Sequence, residues 1–202
     1  MARKRVLVLA VIFASSVFVS QSAVASDNMY KTANANWNCP DGSFGSGFCQ
    51  TDNSTLTYYE QGSVNGAVGA TVDLTMFDSY DGTDLNVTWI ASPSYSGGAE
   101  TDIIYQVSTS GFSGNTIGQT WCDDATTATK CDQEYVRFRA AGYVDRELAC
   151  HETGHAVGLT HGADAYPSES NTASELGCME TPDTGNNPYI ESHNVSEINA
   201  TY

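Results

Sequence analysis

The sequence predicts a chain of the α/β (α+β) class: a strand, a helix, four further strands, a second helix and then a long irregular tail. Three observations carry that reading. Short β-rich runs recur between residues 54 and 140, apolar residues recur four apart in one stretch among them, and from Asp145 the pattern turns helical through "CHETGHAVGLTH" (150–161). No internal repeat and no linker divides residues 26–202, which therefore read as one domain with a sizeable core.

Taken in order, the chain opens with a basic start (MARKR), an apolar stretch, and small residues (Ala23-Val24-Ala25) ahead of Ser26. Residues 1–25 are expected to be a secretory signal peptide, since the apolar run is short for a bilayer span of ~20 residues. Residues 26–50 are rich in Asn, Gly and Ser and contain "CPDGSFGSGFC", expected to form a loop closed by a disulfide. "STLTYYEQ" (54–61) reads as a strand. Across 64–80, Val64, Val68, Val72 and Met76 line one face of an amphipathic helix, although Gly66 and Gly69 weaken it. "DLNVTWIA" (84–91) and "TDIIYQVS" (101–108) read as strands separated by loop, and "TIGQTWC" and "QEYVRFRA" add two more. After residue 161 little periodicity survives beyond a short helix near 194–202.

Charge narrows the partners. Three of the eight basic residues (Arg3, Lys4, Arg5) lie in the leader and no acidic residue does, which leaves five against 24 and a formal charge of −19. Nucleic acid and anionic membrane are poor partners for such a surface, because the cations that neutralise phosphate are missing. A monomeric extracellular protein that repels its own copies fits. Calcium could be drawn to it, but no loop carries a clear ligand pattern: the aspartates of "DSYDGTD" (78–84) miss the EF-hand offsets and read as a solvated turn. "NST", "NVT", "NVS" and "NAT", beginning at Asn53, Asn86, Asn194 and Asn199, match glycosylation sequons and matter only in a host that uses them.

All six cysteines (Cys39, Cys49, Cys122, Cys131, Cys150, Cys178) lie beyond the leader. An even number in an exported chain implies disulfides. Pairing in sequence order makes short loops and is the expected connectivity. No CxxC occurs, so zinc-ribbon spacing is absent.

Three of the chain's four histidines fall within eleven residues. His151 and His155 are four apart, so a helix projects both imidazoles from one face, at the spacing that lets two nitrogens hold one tetrahedral metal. Zinc is the expected ion. Glu152 is rotated ~100° from that face, placed to reach a water at the metal without joining it. An unbroken helix would turn His161 ~240° from His155. A bend at Gly158, which can take positive φ, returns it as the third ligand and leaves a fourth position for water. Gly154 lies inside the helix, where a close approach by another segment would explain it.

The pattern HETGHAVGLTH resembles the metzincin clan of zinc metalloendopeptidases, which carry HExxHxxGxxH and a later Met-turn. Met179 in "LGCMET" takes the place of the Met-turn methionine, a soft floor beneath the metal and not a ligand. The resemblance is specific over residues 148–180 and architectural elsewhere. It implies a zincin with a five-stranded mixed twisted sheet, an active-site helix, a smaller irregular C-terminal subdomain, and a cleft between the two parts. The ending "HNVSEINATY" is similar to the terminal helix of matrixin-type catalytic domains. Thr181 stands where some metzincins place a tyrosine, a residue that matrixins also lack. A snapalysin-like branch uses aspartate as third ligand and Asp164 lies three residues beyond His161, but the spacing favours His161. "NCPDG" at Cys39 is similar to a cysteine-switch segment, against which the even cysteine count favours a bond to Cys49. A Cys150–Cys178 bond would staple the active-site helix to the Met-turn.

The resemblance implies a secreted zinc-dependent endopeptidase acting on protein or peptide substrates, with Glu152 as general base, and the residues after Met179 ("TPDTGNNPYI") walling its pockets. Two other classes stay open: a zinc-containing secreted binding module that does not cut, and a zinc hydrolase of non-peptide substrates. An open three-histidine site beside Glu152 favours catalysis, because structural zinc sites close all four positions with protein ligands. His193 is expected to pack near the C-terminal segment rather than touch the metal.

Overall fold

The computed structural model describes residues 26–33 and 38–202. The expected leader, 1–25, lies outside the described residues. Six strands form one mostly parallel sheet: β1 (Gln50–Thr51), β2 (Thr55–Glu60), β3 (Asn86–Trp89), β4 (Ile103–Val107), β5 (Gly118–Ala125) and β6 (Lys130–Phe138). β3, β2, β4 and β6 run parallel side by side, and β5 is antiparallel to β6. The class is therefore mixed α/β, as expected. The sheet has one strand more than the five anticipated. β1 pairs with Lys130 and Cys131, at the start of the long β6, while β4 pairs further along with residues 134–138 of the same strand.

Helix α1 (Gly66–Thr75) joins β2 to its parallel neighbour β3, a connection that needs a crossover. It starts two residues later than the Val64 periodicity suggests, because Asn65 caps it: the Asn65 side chain accepts from the amides of Ala67 (3.0 Å) and Val68 (3.1 Å). Val68, Val72 and Met76 are buried on the predicted face. Gly69 is tolerated because a Cβ there would stand 2.6 Å from Glu60 Oε2 at the end of β2. Residues Met76–Tyr80 continue α1 as a wider π-type turn, closed by the Asp81 amide donating to Met76 O (2.9 Å). That turn delivers the fully buried Tyr80, whose hydroxyl donates to Cys150 O (2.7 Å) in the second helix.

Helix α2 (Arg146–Ala156) begins at Asp145, whose carboxylate accepts from the Leu148 amide (2.9 Å). Every residue from Glu147 to Ala156 is buried, an unusual state for a helix this polar. It packs against α1, β5 and β6. Two threonines tie it to the sheet: Thr153 with the Tyr105 hydroxyl of β4 (2.7 Å), and Thr120 of β5 with Glu152 O (2.9 Å). Leu56, Ile103, Tyr105, Val136 and Phe138 from the sheet, with Val72 and Ala149 from the helices, share one core.

Beyond α2 the chain is mostly irregular until α3 (Ser192–Thr201), two residues ahead of the expected 194. The N-terminal residues clasp this half. Asp27 bridges Tyr166 and Met29 bridges Leu159, and the Tyr30 amide donates to Gly158 O (2.6 Å). The cysteines pair in sequence order, Cys39–Cys49, Cys122–Cys131 and Cys150–Cys178. Three disulfides fit an oxidising environment. Among the described residues no helix is long and apolar enough to cross a membrane.

Candidate metal centre

The site grows from how α2 ends. After Ala156 the chain leaves helical geometry at Val157, and Gly158 takes φ = +100°, the left-handed conformation that glycine adopts without a Cβ penalty. The chain turns back at that point and brings His161 to the helix face. His155 Nε2 lies 3.1 Å and His161 Nε2 3.0 Å from His151 Nε2. The three predicted ligands are together, and Asp164 is not in the group. Asp164 instead sits in a 3-10 turn, its amide bonded to His161 O (3.0 Å).

The hydrogen bonds decide what these nitrogens can do. His151 Nδ1 lies 2.8 Å from Cys178 O, and His155 Nδ1 lies 2.8 Å from Leu159 O. A carbonyl only accepts, so both Nδ1 atoms carry the proton and both Nε2 atoms are bare lone pairs. Bare lone pairs 3.1 Å apart cannot hydrogen-bond to each other; a shared cation satisfies them. Burial lowers the pKa of His151, lowers that of His155 well below the ordinary value, and lowers that of His161 to about 4. All three rings are therefore neutral near pH 7, the form in which imidazole binds metal. The residues fit a metal ion, which the three imidazoles would hold.

Glu152 is 5 % exposed, and its Oε2 accepts from the Thr120 hydroxyl (2.7 Å). Burial pushes its carboxyl up to about 7; the Thr120 hydroxyl pulls it back, and Asp183 adds to the rise. Gly118, at the start of β5, leaves the room this carboxyl needs, since a Cβ there would overlap it. Met179 is fully buried, with its sulfur in the space a Cβ on Gly154 would take. That is the close approach expected at Gly154.

The histidines open onto a cleft of about 520 Å³, walled by Phe48, Ile117, Leu148 and Pro182 among others. Thr181, Pro182 and Asp183 supply one wall, as expected for residues after Met179. Phe48, Gly118 and Thr120 were not foreseen. Of the three only Gly118, a glycine inside a strand-like run, leaves a trace in the sequence. His193 lies apart from the triad on α3, with a buried Nε2 that has no hydrogen-bond partner. In the 78–84 turn, Asp78 pairs with Arg146 (2.6 Å). A separate acidic group brings together Glu100 from the loop before β4, Asp124 of β5 and Asp132 of β6, without any sequence motif to announce it.

No family model matches the chain, and no curated protein is significantly similar to it.

Proposed function

We propose that this chain is a secreted zinc-dependent endopeptidase of the metzincin type, with His151, His155 and His161 as metal ligands, Glu152 as general base, and Met179 as the methionine beneath the site. The observation that carries the reading is the convergence of the Nε2 atoms of His151, His155 and His161 beside a buried carboxyl, opening onto a cleft. A zinc ion supplies Lewis acidity to a substrate carbonyl and to water.

The chain's own groups do the rest. Glu152 accepts a proton from the attacking water at its carboxylate and returns it to the leaving amine. Thr120 orients that carboxylate, and Gly118 gives it space. The cleft is lined by residues 115–120, where the chain enters β5, the antiparallel strand at the sheet's end. The Cys122 amide points away from β6, to Gly47 O (2.8 Å). By the alternation of a strand, the backbone groups of Thr120 point the same way, toward the cleft side. An extended peptide can pair with such an edge, which supports peptides over other hydrolysable substrates.

The test is incubation with an unfolded protein, with and without a chelator, followed by zinc restoration. Cleavage that a chelator abolishes and zinc restores supports the reading. Stoichiometric zinc with no cleavage would leave a zinc-containing binding module instead.

A further inference from the structure

The ring of Phe48 stacks on the imidazole of His155, with centroids 4.3 Å apart and planes at 26°. Among the described residues no other aromatic outside the triad stacks on a ligand ring so closely. His155 Nδ1 donates to Leu159 O (2.8 Å), a bond that lies in the plane of the ring. The Phe48 ring adds a contact across the face, the direction in which that bond restrains the imidazole least.

Phe48 is itself mounted with unusual care. On one side Gly47 O receives the Cys122 amide (2.8 Å), so the segment crosses the outer edge of β5. On the other, the Cys49 amide donates to Glu134 Oε1 (3.1 Å). Glu134 is fully buried and its second oxygen has no partner. A costly buried carboxyl is thus retained where it holds the residue next to Phe48. Cys49 is bonded to Cys39, and the sulfurs of Cys39, Cys49, Cys122 and Cys131 all lie within 4.8 Å of one another, so two adjoining disulfides clamp the loop to the β5–β6 hairpin. Phe44, in the same loop, packs edge-on against Trp121 (5.3 Å), and Arg137 lies over both rings. Downstream, Gln50 Nε2 donates to Tyr30 O (2.8 Å), and Gln50 Cα lies 3.1 Å from where a Cβ on Gly158 would stand. The glycine that turns the chain toward His161 also admits the segment that carries Phe48.

We propose that Phe48 is a positioning residue of the metal centre, and that the disulfide-closed segment 39–49 is a working part of the site rather than a leader to it. Phe48 acts through His155: it fixes the ring so that Nε2 meets the metal already aimed. The inference rests on the zinc reading above.

The test measures zinc affinity by chelator competition, and the cobalt(II) spectrum of the substituted protein, for the wild type, F48A, F48L and F48Y. Groups that orient a ligand cost about tenfold or more in metal affinity when removed. F48A and F48L should lose about that much and shift the cobalt bands, while F48Y, which keeps the ring, should stay close to wild type. F48L preserves apolar bulk and carries the comparison if F48A does not fold. Affinities of F48A and F48L within twofold of wild type, with unchanged cobalt bands, would overturn the role of Phe48 alone. A wild type that binds no zinc would overturn the functional reading and this one with it.

Discussion

The sulfur of Met179 occupies the space that a Cβ on Gly154 would fill, so the methionine and the middle of α2 meet without a side chain between them. Tyr80 OH crowds the same point, 3.3 Å from that position. The contact leaves no room for a side chain at this point of α2. Gly154→Ala tests it. In an open helix the change would stabilise by ~1 kcal/mol. Here overpacking should reverse the sign and destabilise by about 1–3 kcal/mol, read from denaturant unfolding. A variant more stable than wild type would show that Met179 can move aside.

Gly118→Ala drives a methyl into the Glu152 carboxyl, the base of the proposed reaction. Zinc content should stay at the wild-type level while kcat falls by about 100-fold, the cost of displacing a catalytic group by roughly 1 Å. Loss of metal and activity together would mean that the contact is structural.

The Cys150–Cys178 bond spans 28 residues and ties α2 to the segment before Met179. Replacing both cysteines by alanine should cost about 3.5 kcal/mol by loop entropy. It should also weaken metal binding, because Cys178 O orients His151 through Nδ1. Unfolding and chelator titration of the same variant read both effects.

Asp102 gives the stability a pH dependence that does not involve the metal site. Burial raises its carboxyl to about 6 from an ordinary 3.8, although the Thr57 amide and hydroxyl both donate to it. Between those values the folded chain holds a proton that the unfolded chain has lost. This group therefore favours folding most below pH 3.8, and the contribution falls away as pH rises to about 6. Asp102→Asn should flatten that part of the stability profile, by an amount on the order of 3 kcal/mol from end to end. An unchanged slope in urea titrations from pH 4 to 6 would contradict it.

What could be read from sequence was local. The spacing of His151, His155 and His161 with Gly158 between them follows from helix geometry alone, and the three imidazoles do meet. The strands at 55–60, 103–107 and 130–138 carry their own periodicity and fall near where it placed them. The misses depend on contacts between distant segments. β1 is two residues long, too short for any pattern. The clasp of Asp27 and Met29 onto Tyr166 and Leu159 joins stretches more than 100 residues apart that share no signal. Phe48 reads as one aromatic in a glycine-rich loop, and only the fold shows that it faces His155.

Anomalous diffraction at the zinc absorption edge, from crystals of the protein, tests the three-histidine centre most directly. One peak is expected about 2.0–2.1 Å from Nε2 of each of His151, His155 and His161, with Glu152 near it but not coordinated. A peak bound by Asp164 in place of His161, or no zinc at the three imidazoles, would contradict it.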